Sequence, residues 1–282
     1  MKTSNALPPI AKIIGYTLED EMRQKSFVIM FGICAMGVFL IRGCYGGNYV
    51  VNGQTLDAGT VVRALSKVSF HIIATGVMIV AALLSMQLFR RDRNEGMLSF
   101  VLSKPIARWQ YVTGKIVGIW LLSALFMFIL HGIVCLITSV NLKVFMPEYL
   151  VASLVCSLNL LFVVIAVLFL SLLMPDSVAF LFVLGVGIVG FVADGIVAAS
   201  QSQMAQAMMQ QSGAGSESNL TWWKVVYQLW PKLLGVQRMA SSLTESESSR
   251  GFGSLYPLIN ISIYCVIIGV LLFKRFSTED II

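Results

Sequence analysis

Residues 150–174 read LVASLVCSLNLLFVVIAVLFLSLLM, 25 residues without a single charge. As an α-helix such a run is about 37 Å long, more than the roughly 30 Å of a bilayer's hydrocarbon core. A helix that is apolar on all sides gains nothing from water. Lipid is the solvent that suits it, because an α-helix satisfies its own backbone groups.

The rest of the chain follows the same rule. Of its 282 residues 57% are hydrophobic and only 12% charged, against about a quarter charged in an ordinary soluble domain. Too little charge remains to coat a water-facing surface. Six apolar runs are visible: Phe27–Ile41 (extended by its flanks to 26–44), Val68–Phe89, Ile116–Val140, Leu150–Met174, Ser177–Ala199 and Leu255–Phe273. A spanning helix needs about 20 residues. The middle four runs satisfy this, the last carries Pro257 near its start, and the first is short. Ahead of them, residues 10–25 place Ile10, Ile13, Ile14 and Leu18 at helical spacing opposite Lys12, Glu19, Asp20, Glu21 and Arg23. This is an amphipathic helix suited to lie in the membrane interface and turn into the first span as an elbow. The expected fold is therefore an all-α membrane protein of six transmembrane helices. The five cysteines are scattered, four of them within apolar runs, and read as small buried hydrophobes rather than a disulfide or metal set.

Loop charges orient the spans. Residues 90–115 hold Arg90, Arg91, Arg93, Lys104, Arg108 and Lys115 against Asp92 and Glu95, which predicts a cytoplasmic loop. Alternation then puts both termini inside, the 141–149 loop outside, and the long 200–254 region outside. The net charge of +6 is accounted for by this bias, with no need of nucleic acid. Within 200–254, a stretch rich in Gln, Ser and Gly precedes Trp222, Trp223, Tyr227 and Trp230 interleaved with Lys224 and Lys232. Such aromatics favour a bilayer boundary, predicting a short helix on or dipping into the outer leaflet.

The 90–115 loop is also the most informative for function. Asp92 stands three residues before Glu95, the spacing of a capping box, which predicts a helix starting near Arg93. Met97, Phe100 and Val101 share one face of it, and Pro105 stops it. Exposed apolar side chains on a short cytoplasmic helix call for a cover, either the lipid interface or a groove on a partner protein.

Glu95-Gly96-Met97-Leu98, Leu102-Ser103-Lys104-Pro105, Arg108 and Gly114-Lys115 together resemble the E-G-T-L…L-x-x-P-x-x-R…G-K signature of ABC-2 type permeases, the membrane subunits of ATP-driven exporters. Met97 stands where Thr is commoner. The elbow, the six spans, the long outer region before the last span and the basic tail match the same plan, nearest to the branch whose permease and ATPase are separate chains. The resemblance implies a pair of permease subunits, identical or paralogous, above two cytoplasmic ABC ATPase subunits that hold the ATP and Mg. It implies that Glu95, Gly96, Met97, Leu98, Phe100, Val101, Pro105 and Arg108 form a coupling helix and its flank, that the Met174–Asp176 turn makes a second contact, and that the complex sits in a bacterial cytoplasmic (inner) membrane.

The chain itself contains no G-x-x-x-x-G-K-[ST] sequence, so ATP hydrolysis is expected of a partner and this subunit is expected to be no enzyme and to bind no cofactor. No catalytic constellation or metal spacing stands out. Intramembrane polar residues are candidates for a substrate path: His71, His131, Asn159 and Asp194. Each also has an ordinary reading as a helix–helix hydrogen bond or a helix end. An ion-coupled secondary transporter would need such groups near the midplane. A non-transporting membrane scaffold or assembly factor is the other alternative.

Overall fold

The structure, a computed structural model, describes residues 8–43, 50–51, 54–55, 57–94, 107–143, 146–200, 227–243 and 252–278. Nine α-helices and one small β-ladder make up these residues. Five helices are long and apolar enough to cross a membrane, and a sixth candidate arises if the first two helices are counted together.

Helix α1 (Pro9–Arg23) starts on a proline, whose missing N–H costs nothing in a first turn. It buries Ile13, Thr17 and Glu21, one residue per turn. Gln24 is extended, and the chain turns by 70° into α2 (Lys25–Arg42). Phe27 and Phe31 of α2 pack on Phe126, with centroids 6.0 and 5.0 Å away, while Val28, Ile29, Ile33, Met36 and Leu40 face outward. Strands β1 (Val50–Val51) and β2 (Gln54–Thr55) pair antiparallel, Val50 opposite Thr55.

Asp57 caps α3 (Ala58–Met86) by accepting from the Thr60 amide at 3.2 Å. After a break at Gln87 the chain continues as α4 (Leu88–Asn94). Helices α5 (Arg108–Leu142) and α6 (Glu148–Ser171) form an antiparallel pair, α5 ending on Lys143 at φ 56°. Then come α7 (Asp176–Ser200), α8 (Leu233–Ser242) and α9 (Phe252–Thr278). Pro257 stands at the sixth position of α9, past the first turn.

Helix α6 is the hub, packed by α3, α5, α8 and α9. Its apolar window is 67% buried, against 28% for α9 and 17% for α7. The outward faces of α7 and α9 carry Val178, Leu181, Phe182, Ile188, Ile263, Val266 and Val270, an all-apolar surface that suits lipid or another membrane helix. Several polar groups inside the bundle are bonded. His131 stacks on Phe70 at 4.4 Å and reaches Ser153 at 2.9 Å and the Phe70 carbonyl at 3.3 Å, joining α5, α3 and α6. The Tyr149 hydroxyl donates to the Ser66 carbonyl at 3.1 Å.

The sequence places a short helix at an outer boundary. Residues 221–226 lie outside the described residues; 227–229 are helical, and the next helix, α8, which the sequence does not predict, is buried inside the bundle. The Asn159 amide, on the twelfth of the 24 residues of α6, donates to the Leu233 carbonyl at 2.9 Å. Gln237 meets His71 at 3.2 Å and the Met78 sulfur at 3.5 Å. Trp230 fits against Gly190, where an added Cβ would lie 3.1 Å from Nε1, and donates to the Val186 carbonyl at 3.2 Å. The connection between α7 and α9 therefore reaches mid-depth of α6. Residues Trp222 and Trp223 lie outside the described residues.

Candidate functional site at the foot of the 95–106 loop

Glu95, Gly96, Met97, Leu98, Phe100, Val101 and Pro105 lie outside the described residues; Arg108 is described. What the structure does define is the foot of the loop that carries them: α4 on the way in and the first turns of α5 on the way out.

Consecutive residues of a helix point about 100° apart, so three in a row aim in three directions. Arg90 reaches Asp176 at the start of α7, at 3.6 Å. Arg91 reaches α1, pairing with Asp20 and, at 2.7 Å, with Glu21. Asp92 reaches α5, where it pairs with Lys115 at 2.7 Å and accepts from the Tyr111 hydroxyl. One short helix thus grips three others. Asp92 lies inside α4, so it does not cap a helix at Arg93; the capping-box spacing is coincidental, because the carboxylate is committed to α5. A fourth helix joins from the other side. Arg108 donates to the Ser277 carbonyl at 3.0 Å, and Phe276 packs between Phe89 at 5.4 Å and Tyr111 at 6.0 Å.

These pairs differ in weight. Arg90 is mostly exposed, and a surface ion pair of that kind contributes little. The Asp92 and Lys115 side chains are only 3% and 2% exposed. Two charges so deeply buried cost several kcal/mol each to desolvate, and each is tolerated only because the other is present. Lys115 gains further from Tyr16 and Tyr111, whose ring centroids lie 5.5 and 5.8 Å from its Nζ. Glu21 is likewise buried. Burial holds its carboxyl above the usual range, with the Arg91 guanidinium opposing.

Close packing makes this contact possible. An added Cβ at Gly114 would sit 2.7 Å from Ile13, and one at Gly118 would sit 2.8 Å from Thr17. The two glycines are one turn apart on α5 and form the seat on which α1 rests. The cluster ties α4 and α5, the two limbs of the loop, to α1, α7 and α9.

A family model for the ABC-2 family transporter protein matches residues 13–281. The chain belongs to this family. A comparison with curated proteins found no match. This ABC-2 family protein is accordingly a multi-pass membrane protein and a permease-type membrane subunit, in keeping with its long apolar helices.

Of the remaining candidates of the ABC-2 protein, three meet the 232–238 segment and one does not. His131 is enclosed between α3, α5 and α6; His71 and Asn159 both serve α8, through Gln237 and Leu233. Asp194, 4% exposed near the end of α7, meets the same helix at Lys232 and Arg238. It accepts from the Tyr227 hydroxyl at 2.5 Å and faces Lys232 Nζ at 3.5 Å. Among the described residues no cluster of three His, Cys, Asp or Glu could hold a metal ion. From sequence, Asp92 reads as a loop charge and a helix cap and Lys115 as a loop charge within the Gly114-Lys115 signature, not as partners. The overlooked signal is position: Lys115 stands directly against the apolar run at Ile116, and an ionisable residue at such a place calls for a named partner.

Proposed function

We propose that this ABC-2 family protein is the permease subunit of an ATP-driven exporter, in which two copies, or one copy and a paralogue, stand over two separate cytoplasmic ATPase subunits. ATP and Mg belong to those partners. The end of the bundle carrying α1, the 95–106 loop and the α9 C-terminus is cytoplasmic, with α1 an interfacial elbow, in a bacterial inner membrane. Met97, Phe100 and Val101 enter a groove on the ATPase, Glu95 adds a polar contact, and the 174–176 turn adds a second foothold.

The single observation that carries this reading, beside the family match, is the buried Asp92–Lys115 pair joining the two limbs of the loop. A push on the loop is delivered to α4 and α5 together. Through Arg91, Arg90 and Arg108 it reaches α1, α7 and α9 as well. Alternating access needs elements that move as units between two states, biased by nucleotide in the partner.

The test is reconstitution. Proteoliposomes holding this chain and its ATPase are expected to hydrolyse ATP faster than the ATPase alone. The Phe100→Asp and Met97→Asp variants, still inserted, should lose that stimulation. An ATPase rate indifferent to this chain, or variants that stimulate normally, would refute the coupling. Movement of solute on an ion gradient alone would favour a secondary transporter.

A further inference from the structure

Near the ends of α7 and α9 opposite α1 lies a cavity of about 450 Å3, lined by Asp194, Tyr227, Gln228, Lys232, Arg238 and Tyr256 among others. We infer that this cavity is a binding site for the anionic headgroup of a membrane phospholipid, gripped by Lys232 and Arg238.

Charge is the first argument. Two cations face the cavity against one carboxylate, and that carboxylate is already engaged. Asp194 Oδ1 takes the Tyr227 hydroxyl at 2.5 Å, leaving Lys232 a long contact of 3.5 Å to the same atom and the face of the Tyr227 ring. Lys232 is 8% exposed along its side chain, so its ammonium is turned inward. Arg238 spends one N–H on the Asp194 carbonyl at 3.4 Å and is otherwise exposed. Guanidinium is the group best shaped to take phosphate oxygens two at a time.

Depth is the second argument. Asp194 lies 18 residues beyond Asp176 on α7, about 27 Å along the helix axis. That nearly equals the roughly 30 Å hydrocarbon thickness, so the side of the cavity formed by Asp194 and Arg238 lies at headgroup level of the leaflet opposite α1, with the Lys232 backbone deeper. A shallow apolar groove on α9, next in sequence to Tyr256 and Pro257, would suit the chains. Leu255, Ile259, Ile263, Val266 and Ile267 line a groove of about 540 Å3 down the outward face of α9, beginning beside Tyr256. A phosphate diester at Lys232 and Arg238 would therefore carry its acyl chain along α9. The site is independent of the ATP-coupling reading and is tested without nucleotide.

The experiment is native mass spectrometry of the full-length chain in detergent, titrated with phosphatidylglycerol or phosphatidylcholine of equal chain length. Phosphatidylglycerol is expected to bind about tenfold more tightly, the scale for two basic groups offset by one acid. Arg238→Gln, whose side chain is exposed and which should leave the fold intact, is expected to cut the preference to about twofold, as is Lys232→Gln. Lys143→Gln, an exposed lysine elsewhere on the same side, should leave it unchanged. Equal binding of the two lipids would overturn the inference, as would a preference that survives Arg238→Gln. Loss of the lipid to inorganic phosphate, but not to chloride of equal ionic strength, would assign the cavity to a soluble anion and overturn the lipid assignment.

Discussion

Asp92 and Lys115 are the residues on which the foot of the loop depends. Each is buried, and each is acceptable only with the other. Asp92→Asn is therefore expected to destabilise the protein by about 3–5 kcal/mol, read as a fall in melting temperature in detergent. The double variant Asp92→Leu with Lys115→Met should recover most of that loss, since an apolar pair leaves no stranded charge. A mild effect of the single variant, or no recovery in the double, would contradict the pairing. Glu21 behaves differently. Its pKa is raised because burial outweighs Arg91, so the folded state holds its proton more tightly than the unfolded one. Its contribution is complete below the unfolded value of 4.5 and lost as pH rises through the higher folded value. Glu21→Gln should thus melt at or above the wild type at pH 7, the difference vanishing as the pH falls towards 4.5. A variant less stable at pH 7 would show that the Arg91 pair dominates.

At the scale of helices, α1 is held by shape as much as by charge. The seat formed by Gly114 and Gly118 leaves no room for a side chain. Gly118→Leu is expected to lift α1 from α5, costing about 1–3 kcal/mol by overpacking and speeding amide exchange across residues 9–23. Gly132→Leu, on the same helix where an added Cβ meets nothing within 4 Å, is the control and should change neither. Equal effects of the two would mean that α1 is not seated as described. The long apolar helices were legible from composition, because lipid-facing and core positions alike demand apolar residues. The first ten residues of α3, which include Arg63 and Lys67, were not, since they carry no apolar run. Neither was α8. Its Gln237, Arg238 and Ser241 read as loop chemistry, and only the three-dimensional return of the chain supplies His71 and Asn159 as partners. The pairing of Asp92 with Lys115 was hidden for the same reason: 22 residues lie between them in sequence, and no local pattern records their contact.

For the whole molecule, the described residues form two polar stations separated by an apolar bundle. One, at the α1 end, joins α1, α4, α5, α7 and α9 through charges and rings. The other surrounds Asp194, Lys232 and Arg238 at the far side. Between them α6 makes the packed axis, while α7 and α9 show apolar faces outward. Such a body suits transmission: a force at the first station is shared by most of the helices that reach the second. The central claim is that this force comes from a separate ATP-binding subunit pressed against the 95–106 loop. Its most direct measurement is photo-crosslinking in native membranes from a reactive side chain placed at Met97. The account predicts a covalent adduct with an ATP-binding subunit, of a yield that changes when nucleotide is added. Adducts with phospholipid alone would contradict it.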